Sequence, residues 1–265
     1  MLAGHFIDSP QGHLFITQFG ELTITKAILC LPSITEELNL ARAVCAKQAE
    51  AFAEAGTPCV ILDYLGTGDS EQEFDQVDCH VWLDNIITTG KWLMAQGVSE
   101  IVIFGVRFGA LLALANQQKL HQALPICQQI YWKPVLNGKQ FSGQFLRIKQ
   151  AREMITSGNN KINWREKVLN GEELEVAGYP LTASMLTSME QLQVKPDDTL
   201  LSPVHWFELA ATEASPLIKK FIISWQSQVK FSFINCPAFW QVPEIFTLPE
   251  LYQPTLDCLI TENLC

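Results

Sequence analysis

Residues 101–115 read IVIFGVRFGALLALA, and this stretch decides the fold. The β-forming run IVIF meets the five residues GVRFG at 105–109, and an apolar pattern typical of a buried helix follows. Gly105 and Gly109 remove two side chains from the junction, so strand and helix can pack closely. The stretch therefore predicts a strand, a sharp turn with Arg107 at its tip, and a helix.

Short apolar strands alternate with longer helical patterns on both sides of this turn. Strands are predicted at 13–19, 26–31, 58–63, 100–104, 126–133, 200–208 and 230–235, the first two as an antiparallel entry. Helices are predicted at 39–55, 79–96, 107–118, 213–226 and 248–263, with Pro254 breaking or kinking the last. The alternation indicates the α/β class, with a mostly parallel central sheet and helices on both faces.

Residues 138–198 interrupt the alternation. They contain an amphipathic segment, a polar turn at 158–160, and a possible hairpin around Gly171 and Gly178. A segment inserted between two core strands most often covers the ends of the strands. We therefore expect one core domain made of 1–137 and 199–265, with 138–198 as a lid insertion.

Composition and charge narrow the class of function. The 265 residues carry a formal net charge of −10, which argues against a general affinity for nucleic acid. With 48% hydrophobic and 17% charged residues, the chain is typical of a well-packed globular protein. Basic residues nevertheless concentrate between 139 and 167, as a solvated helix face or as a rim that attracts an anionic ligand.

Other sequence signals concern compartment and cofactors. The eight cysteines form no C-x-x-C pair, which is typical of buried, reduced thiols. With neither an export signal nor a membrane-spanning run in view, we expect a cytoplasmic protein without membrane insertion. The sequence has no HExxH, GK[ST], GxGxxG or cysteine–histidine cluster, so we expect no metal and no cofactor.

The turn at 105–109 has the outline of a nucleophile elbow, which lifts a reactive side chain above the carboxyl edge of a sheet. Its tip is Arg107, and a guanidinium cannot attack an acyl carbon. The next backbone N–H, from Phe108, would point into the site beside the free amides of a helix.

Two earlier segments support this interpretation. DYLGTGDS, which begins at Asp63, resembles the D-x-x-G-x-G-x-S loop that precedes the elbow in many α/β-hydrolases, and Asp63 is expected to shape that loop. The loop after strand 26–31, which would supply the second oxyanion-hole amide, carries Ser33, Glu36, Glu37 and Asn39. The two glutamates are either a charged helix start or partners of Arg107.

The segments LPSITEELNLAR, DYLGTGDSEQEF, FGVRFGALLA, YWKPVLNGKQFSGQFLR and PAFWQVPEI together resemble the exosortase A system-associated hydrolases of the second type. The resemblance is collinear over most of the chain. It implies an α/β-hydrolase fold and an association with bacterial extracellular-polysaccharide or protein-sorting machinery. The name "hydrolase" in that family follows the fold, so the resemblance adds little about the reaction.

In the α/β-hydrolase fold, the nucleophile, the acid and the histidine of a Ser–His–acid triad follow particular strands in that order along the chain. Glu208 ends strand 200–208, where the acid is expected. The base should lie near 236–245, but no histidine follows His205, and Trp240 occupies that region. Serine activation needs a base within hydrogen-bond reach, so two of the three roles are empty. The residues weighed for displaced chemistry are Ser33, Ser70, His80, His205 and Cys236, of which the last two read better as structural.

An arginine at the turn needs an anion. An unpaired buried charge costs several kcal/mol. The anion is either internal or a ligand carboxylate or phosphate held between Arg107 and the backbone amides. The acids considered as internal partners are Glu36, Glu37, Asp63, Asp84 and Glu208.

Three functions follow. In the first, the protein binds an anionic small molecule without acyl-enzyme chemistry, through Ser33, Asn39, Arg107, Phe108 and Trp240. In the second, it is an ester or thioester hydrolase or an acyltransferase, in which Arg107 stabilises the oxyanion and Glu36 or Glu37 is the general base, with Glu208 in the acid position. In the third, it is an interaction subunit of envelope or polysaccharide machinery.

Overall fold

The computed structural model describes residues 1–23, 25–157, 162–225 and 227–260. The strands are Leu2–Ser9 (β1), Gly12–Phe19 (β2), Lys26–Leu31 (β3), Cys59–Leu62 (β4), Glu100–Val106 (β5), Ile126–Trp132 (β6), Leu174–Val176 (β7), Tyr179–Leu181 (β8), Val204–Leu209 (β9) and Val229–Ile234 (β10). The α-helices are Glu36–Glu54 (α1), Cys79–Ala95 (α2), Phe108–Ala115 (α3), Gln117–Ala123 (α4), Gly138–Ser157 (α5), Trp164–Leu169 (α6), Ala183–Gln191 (α7), Pro216–Trp225 (α8) and Pro249–Ile260 (α9).

Eight strands form one sheet in the order β1-β2-β4-β3-β5-β6-β9-β10. β2 is antiparallel to both of its neighbours, and the other seven strands share one direction. The predicted mostly parallel sheet is therefore confirmed. The predicted antiparallel pairing of 13–19 with 26–31 is wrong. β2 pairs instead with β4 and with β1, a strand that the sequence reading missed and that turns back through Pro10 and Gln11.

Alternate residues of the central strands enter two separate cores. In β3, Ile28 and Cys30 pack with α1 and α9 on one face of the sheet. Leu29 and Leu31 face the opposite core, to which α2, α3 and α8 contribute. Period-two alternation in a strand buried on both sides produces this division. Helices therefore cover both faces, as predicted.

Two helix boundaries differ from the prediction. α1 begins at Glu36, three residues earlier than predicted, so both glutamates lie in its first turn. α9 continues through Pro254. Of the predicted break or kink, the break is therefore wrong: Pro254 is the sixth residue of α9, where its ring removes one i→i−4 hydrogen bond and the helix continues.

In its described residues, the segment between β6 and β9 contains α5, α6, the β7–β8 hairpin and α7, and the predicted polar turn at 158–160 lies outside them. It leaves and rejoins the sheet at one place, because Asn137 pairs with Gln193 and the Val194 N–H donates to the Leu136 carbonyl at 2.9 Å. α5 packs against α7 and against the hairpin. This segment meets the carboxyl edge of the sheet next to the candidate site.

Candidate functional site

Arg107 lies at the bend between β5 and α3, with φ 53° and ψ −111°. The positive φ is unfavourable for a side chain other than glycine and is held by the surrounding backbone. The Arg107 N–H donates to the Trp132 carbonyl at 3.0 Å, and the Arg107 carbonyl accepts from Leu111 at 3.3 Å and Val135 at 3.2 Å. These bonds fix the arginine side chain at the carboxyl end of β5.

The two glycines of the turn permit close packing of backbone on backbone. A Cβ on Gly109 would lie 2.1 Å from the Leu31 carbonyl oxygen and 2.5 Å from that of Pro32. A Cβ on Gly105 would lie 2.8 Å from Ala110 Cα. All three distances are shorter than the contacts that real Cβ atoms make, so neither position can carry a side chain unless the backbone moves.

The Arg107 guanidinium is paired internally with Glu37. Its Nη2 donates to Glu37 Oε1 at 2.8 Å, and its Nε donates to Oε2 at 3.1 Å. Nη1 donates to the Lys133 carbonyl at 3.2 Å. The two side chains are 12% and 17% exposed, so solvent screens the pair only weakly. Of the five acids considered, Glu37 is the partner that the structure provides.

Ser33 connects this ion pair to the backbone of the turn. Its hydroxyl donates to Glu37 Oε2 at 2.7 Å and accepts from the Phe108 N–H at 3.4 Å. Ser33 is fully buried. The Phe108 amide, which would help to form an oxyanion hole, is therefore directed at a protein hydroxyl.

Trp240 closes the other side of the guanidinium. Arg107 Cζ lies 5.1 Å from the centroid of the buried Trp240 ring, a cation–π contact. Phe239 stacks edge-on against Trp240 and against Trp132. Aromatic side chains thus occupy the loop after β10, where the fold order places a catalytic base.

Glu208 is buried at the end of β9 and forms an ion pair with Lys133 Nζ. Its other oxygen accepts from Trp206 Nε1 at 3.1 Å, as expected from the shared side of the strand. Sequence reasoning missed Lys133. Strand register could have found it, because Trp132 pairs with Phe207 and the next residues, Lys133 and Glu208, are then neighbours.

Asp63 and Ser70 organise the loop after β4. Asp63 pairs with Arg42 at 2.9 Å and accepts from the Asp69 N–H at 3.1 Å. The Ser70 hydroxyl donates to the Asp63 carbonyl at 2.6 Å and accepts from the Phe15 N–H at 2.7 Å. Both residues therefore have a structural role in this loop.

The remaining residues weighed for displaced chemistry lie apart. His80 and Asp84 are exposed on α2. His205 is buried within β9, and burial, with Lys230 nearby, lowers its pKa to about 4. Cys236 is also buried, and burial raises the pKa of its thiol. Among the hydrogen bonds described for the chain, none joins a nucleophile to a histidine near Arg107.

A cavity of about 510 Å³ opens beside the Arg107–Glu37 pair. It lies between the first turn of α1, α5, the β7–β8 hairpin and the loop after β10, and its walls include Glu36, Glu37, Phe145, Lys149 and Trp240. Asn39 is exposed and donates to the Tyr179 hydroxyl at 3.0 Å, which joins α1 to the hairpin. Burial, reinforced by Glu36, raises the pKa of Tyr179.

Within the described residues, no three His, Cys, Asp or Glu side chains are grouped as a metal site would require. None of the helices in that part of the chain has both the length and the hydrophobicity needed to cross a membrane.

The sequence matches no protein-family model and no curated protein. Solved structures are similar over nearly the whole chain. Est1E from Butyrivibrio proteoclasticus with ferulic acid has a TM-score of 0.68 at 16% identity, covering 98% of the present chain and 100% of that chain. An esterase from Pyrococcus furiosus has 0.59 at 12%, covering 98% and 88%.

A lipase/esterase from Lactobacillus plantarum has a TM-score of 0.56 at 17% identity, covering 100% of the present chain and 99% of that chain. At these identities the similarity establishes the fold alone. Together with the strand order, it shows that this protein has the α/β-hydrolase fold predicted from the turn at 105–109.

Proposed function

We propose that this protein binds a small anionic molecule on an α/β-hydrolase fold and carries out no acyl-serine chemistry. The supporting observation is the chain of contacts from the Phe108 N–H to Ser33, from Ser33 to Glu37, and from Glu37 to Arg107. In this proposal Arg107 occupies the position of the nucleophile. The Phe108 N–H, the Ser33 hydroxyl and the Glu37 carboxylate, which acyl-serine chemistry would use, contact one another.

An alternative keeps catalysis, with Arg107 stabilising an oxyanion and Glu37 activating water. Both Glu37 oxygens already accept hydrogen bonds from Arg107, and one of them also accepts from Ser33. A general base needs a lone pair within reach of the water that it activates. The alternative therefore requires the ion pair to open, whereas binding leaves it intact.

The cavity beside the pair supports a ligand with an apolar body and an acidic group. Phe141, Phe145 and Trp240 offer apolar surface. Lys149 and Arg152 of α5 line the same cavity, and so do the carboxylates of Glu36, Glu37 and Glu175. Glu37 already neutralises the charge of Arg107. We therefore place a ligand carboxylate or phosphate on the side of the cavity that α5 lines. The volume of the cavity, about 510 Å³, is typical of a site for a small molecule.

The sequence resemblance described above also enters the proposal. It favours a role in association with bacterial extracellular-polysaccharide or protein-sorting machinery. The partner would be either the bound small molecule or a protein of that machinery. Est1E, which shares the fold, holds ferulic acid. An aromatic carboxylic acid is therefore a reasonable first probe of the cavity.

The experiment combines a binding assay with a reactivity assay. Ferulic acid and phenyl phosphate should each raise the melting temperature of the protein. The double variant Lys149→Gln/Arg152→Gln should need about tenfold more ligand, or more, for the same rise, because it lacks both cations of α5. The double variant Lys91→Gln/Lys119→Gln, on exposed positions of α2 and α4, is the matched control and should bind as the wild type does.

The reactivity assay separates binding from catalysis. A fluorophosphonate probe should leave the protein unlabelled, and aryl esters and thioesters should show no turnover above buffer. Turnover that is lost in Glu37→Ala and Arg107→Ala but kept in Ser70→Ala would establish the hydrolase instead. Labelling of any serine would contradict the proposed absence of acyl-serine chemistry.

A further inference from the structure

The outer edge of β1 is open. β1 is the first strand of the eight-stranded sheet, and among the described strands it pairs with β2 alone. The Gly20 N–H donates to the Met1 carbonyl at 2.9 Å. Successive residues of a strand direct their backbone groups to opposite sides, so every second residue after Met1 also faces β2. The residues whose backbone groups are directed away from β2, all of them exposed, are Leu2, Gly4, Phe6 and Asp8.

An apolar surface lies beside this edge. Leu2 and Phe6 are 69% and 64% exposed. Phe6 contacts Phe15 of β2, with ring centroids 5.1 Å apart. The Phe15 ring also covers Gly4, where an added Cβ would lie 2.8 Å from Phe15 Cζ. Ile7 enters the core on the opposite face of the sheet. The open edge therefore combines backbone donors and acceptors with exposed apolar side chains.

The two edges of the sheet differ in their protection against pairing. Exposed edge strands of natural proteins commonly carry a lysine, a proline or a bulge, each of which opposes pairing with another chain. β10, at the opposite edge, carries Lys230. Residues 2–7 of β1 contain no Lys, Arg, Asp, Glu or Pro, and β1 pairs with β2 over eight residues without a shift in register. The edge of β1 is therefore suited to pairing with another strand.

We propose that two copies of this chain form a dimer by antiparallel pairing of β1 with β1, which joins two eight-stranded sheets into one. A two-fold axis at Gly4 places Leu2 of each copy opposite Phe6 of the other. The outward backbone groups then meet, and two apolar side-chain pairs form across the axis. A two-fold axis at His5 would instead place Asp8 opposite Leu2, a carboxylate against an apolar side chain. The register at Gly4 is therefore favoured.

The geometry of the edge favours a second copy as the partner. The stretch that pairs is uncharged, so bringing two copies of it together opposes no like charges. A two-fold contact uses the same edge of both chains, so the assembly closes at two copies. α2 leaves the edge uncovered, because a groove of about 440 Å³ lies between them. The residues that line this groove are Phe6, Ile7, Asp8, Thr88, Lys91 and Trp92.

Sedimentation velocity of the full chain, from about 1 µM to about 200 µM, tests for the dimer. Two paired strands bury less surface than a standard interface, so we expect a reversible dimer with a dissociation constant of about 10 µM. Phe6→Lys should raise this constant about tenfold or more, because it removes both aromatic contacts and brings two cations together. Leu2→Lys should act in the same direction. The matched control Ile223→Lys, on an exposed isoleucine of α8, should dimerise as the wild type does.

Amide hydrogen exchange, measured residue by residue by NMR, tests the pairing itself. The Leu2, Gly4 and Phe6 amides should be protected at high protein concentration and should exchange quickly at low concentration. The Ala3 and His5 amides face β2, so they should be protected at both concentrations. This alternation distinguishes pairing along β1 from a dimer that forms elsewhere on the molecule.

Three results would overturn the inference. The first is a monomer over the whole concentration range, and the second is wild-type dimerisation by Phe6→Lys. The third is a dimer in which the Leu2, Gly4 and Phe6 amides stay unprotected. Both lysine variants replace mostly exposed side chains, so unchanged circular dichroism spectra are expected to show that they fold. None of the described residues that line the cavity beside the Arg107–Glu37 pair belongs to β1, so dimerisation and ligand binding are tested separately.

Discussion

Arg107 carries a permanent positive charge at the amino end of α3, where a helix favours anions. Glu37 lies in the first turn of α1, where a helix favours a carboxylate. Their ion pair therefore joins two helix starts that both prefer negative charge. The carboxylate is favoured by both helices and by the guanidinium, which explains how the chain accommodates an arginine at a site poorly suited to cations.

The pair can be measured by a double-mutant cycle. Arg107→Met should lower the free energy of unfolding by about 3 kcal/mol, because it leaves Glu37 with little solvent and no guanidinium. Adding Glu37→Gln should recover at least about 1 kcal/mol of that loss. Urea unfolding followed by circular dichroism gives the four values. Strictly additive effects would show that the two side chains do not interact.

His205 should make stability depend on pH. Its folded pKa of about 4 lies below the ordinary value of 6.5, so between these values the unfolded chain binds more protons than the folded one. Stability should fall as the pH falls through this window, by up to about 3 kcal/mol. Urea titrations from pH 7 to pH 4 should show a shallower loss in His205→Gln. Parallel profiles would contradict this expectation.

The sequence could identify Arg107 but could not select its partner. Glu36 and Glu37 are adjacent, and only the phase of α1 determines which faces the turn. The helix starts earlier than the apolar pattern suggested, after Thr35 adopts a φ of 57°. Lys133 was missed for a different reason, since its contact with Glu208 depends on the register of two strands more than 70 residues apart in sequence.

At the scale of elements, α3 is placed by the contact of Gly109 with β3. Gly109→Ala would put a methyl group 2.1 Å from the Leu31 carbonyl, so unfolding should become easier by about 3 kcal/mol or more. Gly143 is the matched control, because it also lies in a helix and a Cβ added to it would meet nothing within 4 Å. Gly143→Ala should be neutral or stabilise by up to about 1 kcal/mol.

Thermal or urea unfolding of the two variants provides the comparison. Equal effects of the two substitutions would show that α3 does not pack on β3 as described. The contrast is informative because both substitutions add the same methyl group to a helical glycine.

Strongly patterned elements were predictable, and exposed ones were not. β3, β5 and β6 are apolar runs buried on both faces, so their bounds were predicted within a few residues. β1 was missed because it is an edge strand in which Ile7 alone is fully buried. β2 lies between β1 and β4 in the sheet. Because β1 was overlooked, 13–19 was given the wrong antiparallel partner.

At the scale of the whole molecule, the sheet separates two hydrophobic cores. Cysteines buried in one of them can be used to measure how readily that core opens. Cys30, Cys45 and Cys59 are buried on the side of α1. Burial raises the pKa of the Cys30 and Cys59 thiols well above the ordinary range. A thiol reacts as the thiolate and only when reagent can reach it, so the native protein should protect all three.

Their alkylation should therefore require global opening of the fold. Iodoacetamide labelling followed by mass spectrometry should give rates that rise with urea in parallel with unfolding. Full labelling of the three residues in denaturant is the control. Rapid labelling of Cys59 in native buffer would show that the α1 side opens independently of the rest.

The contacts of Arg107 also determine what a serine at that position would meet. Arg107→Ser would leave Glu37 without its cation and Ser33 still bonded to the Phe108 amide, and a histidine beside it would have to displace Trp240. Each of these substitutions made alone is therefore expected to cost stability before a serine nucleophile and its base could be assembled together. The arginine and its neighbours form an interdependent set, in which no single replacement is a neutral step.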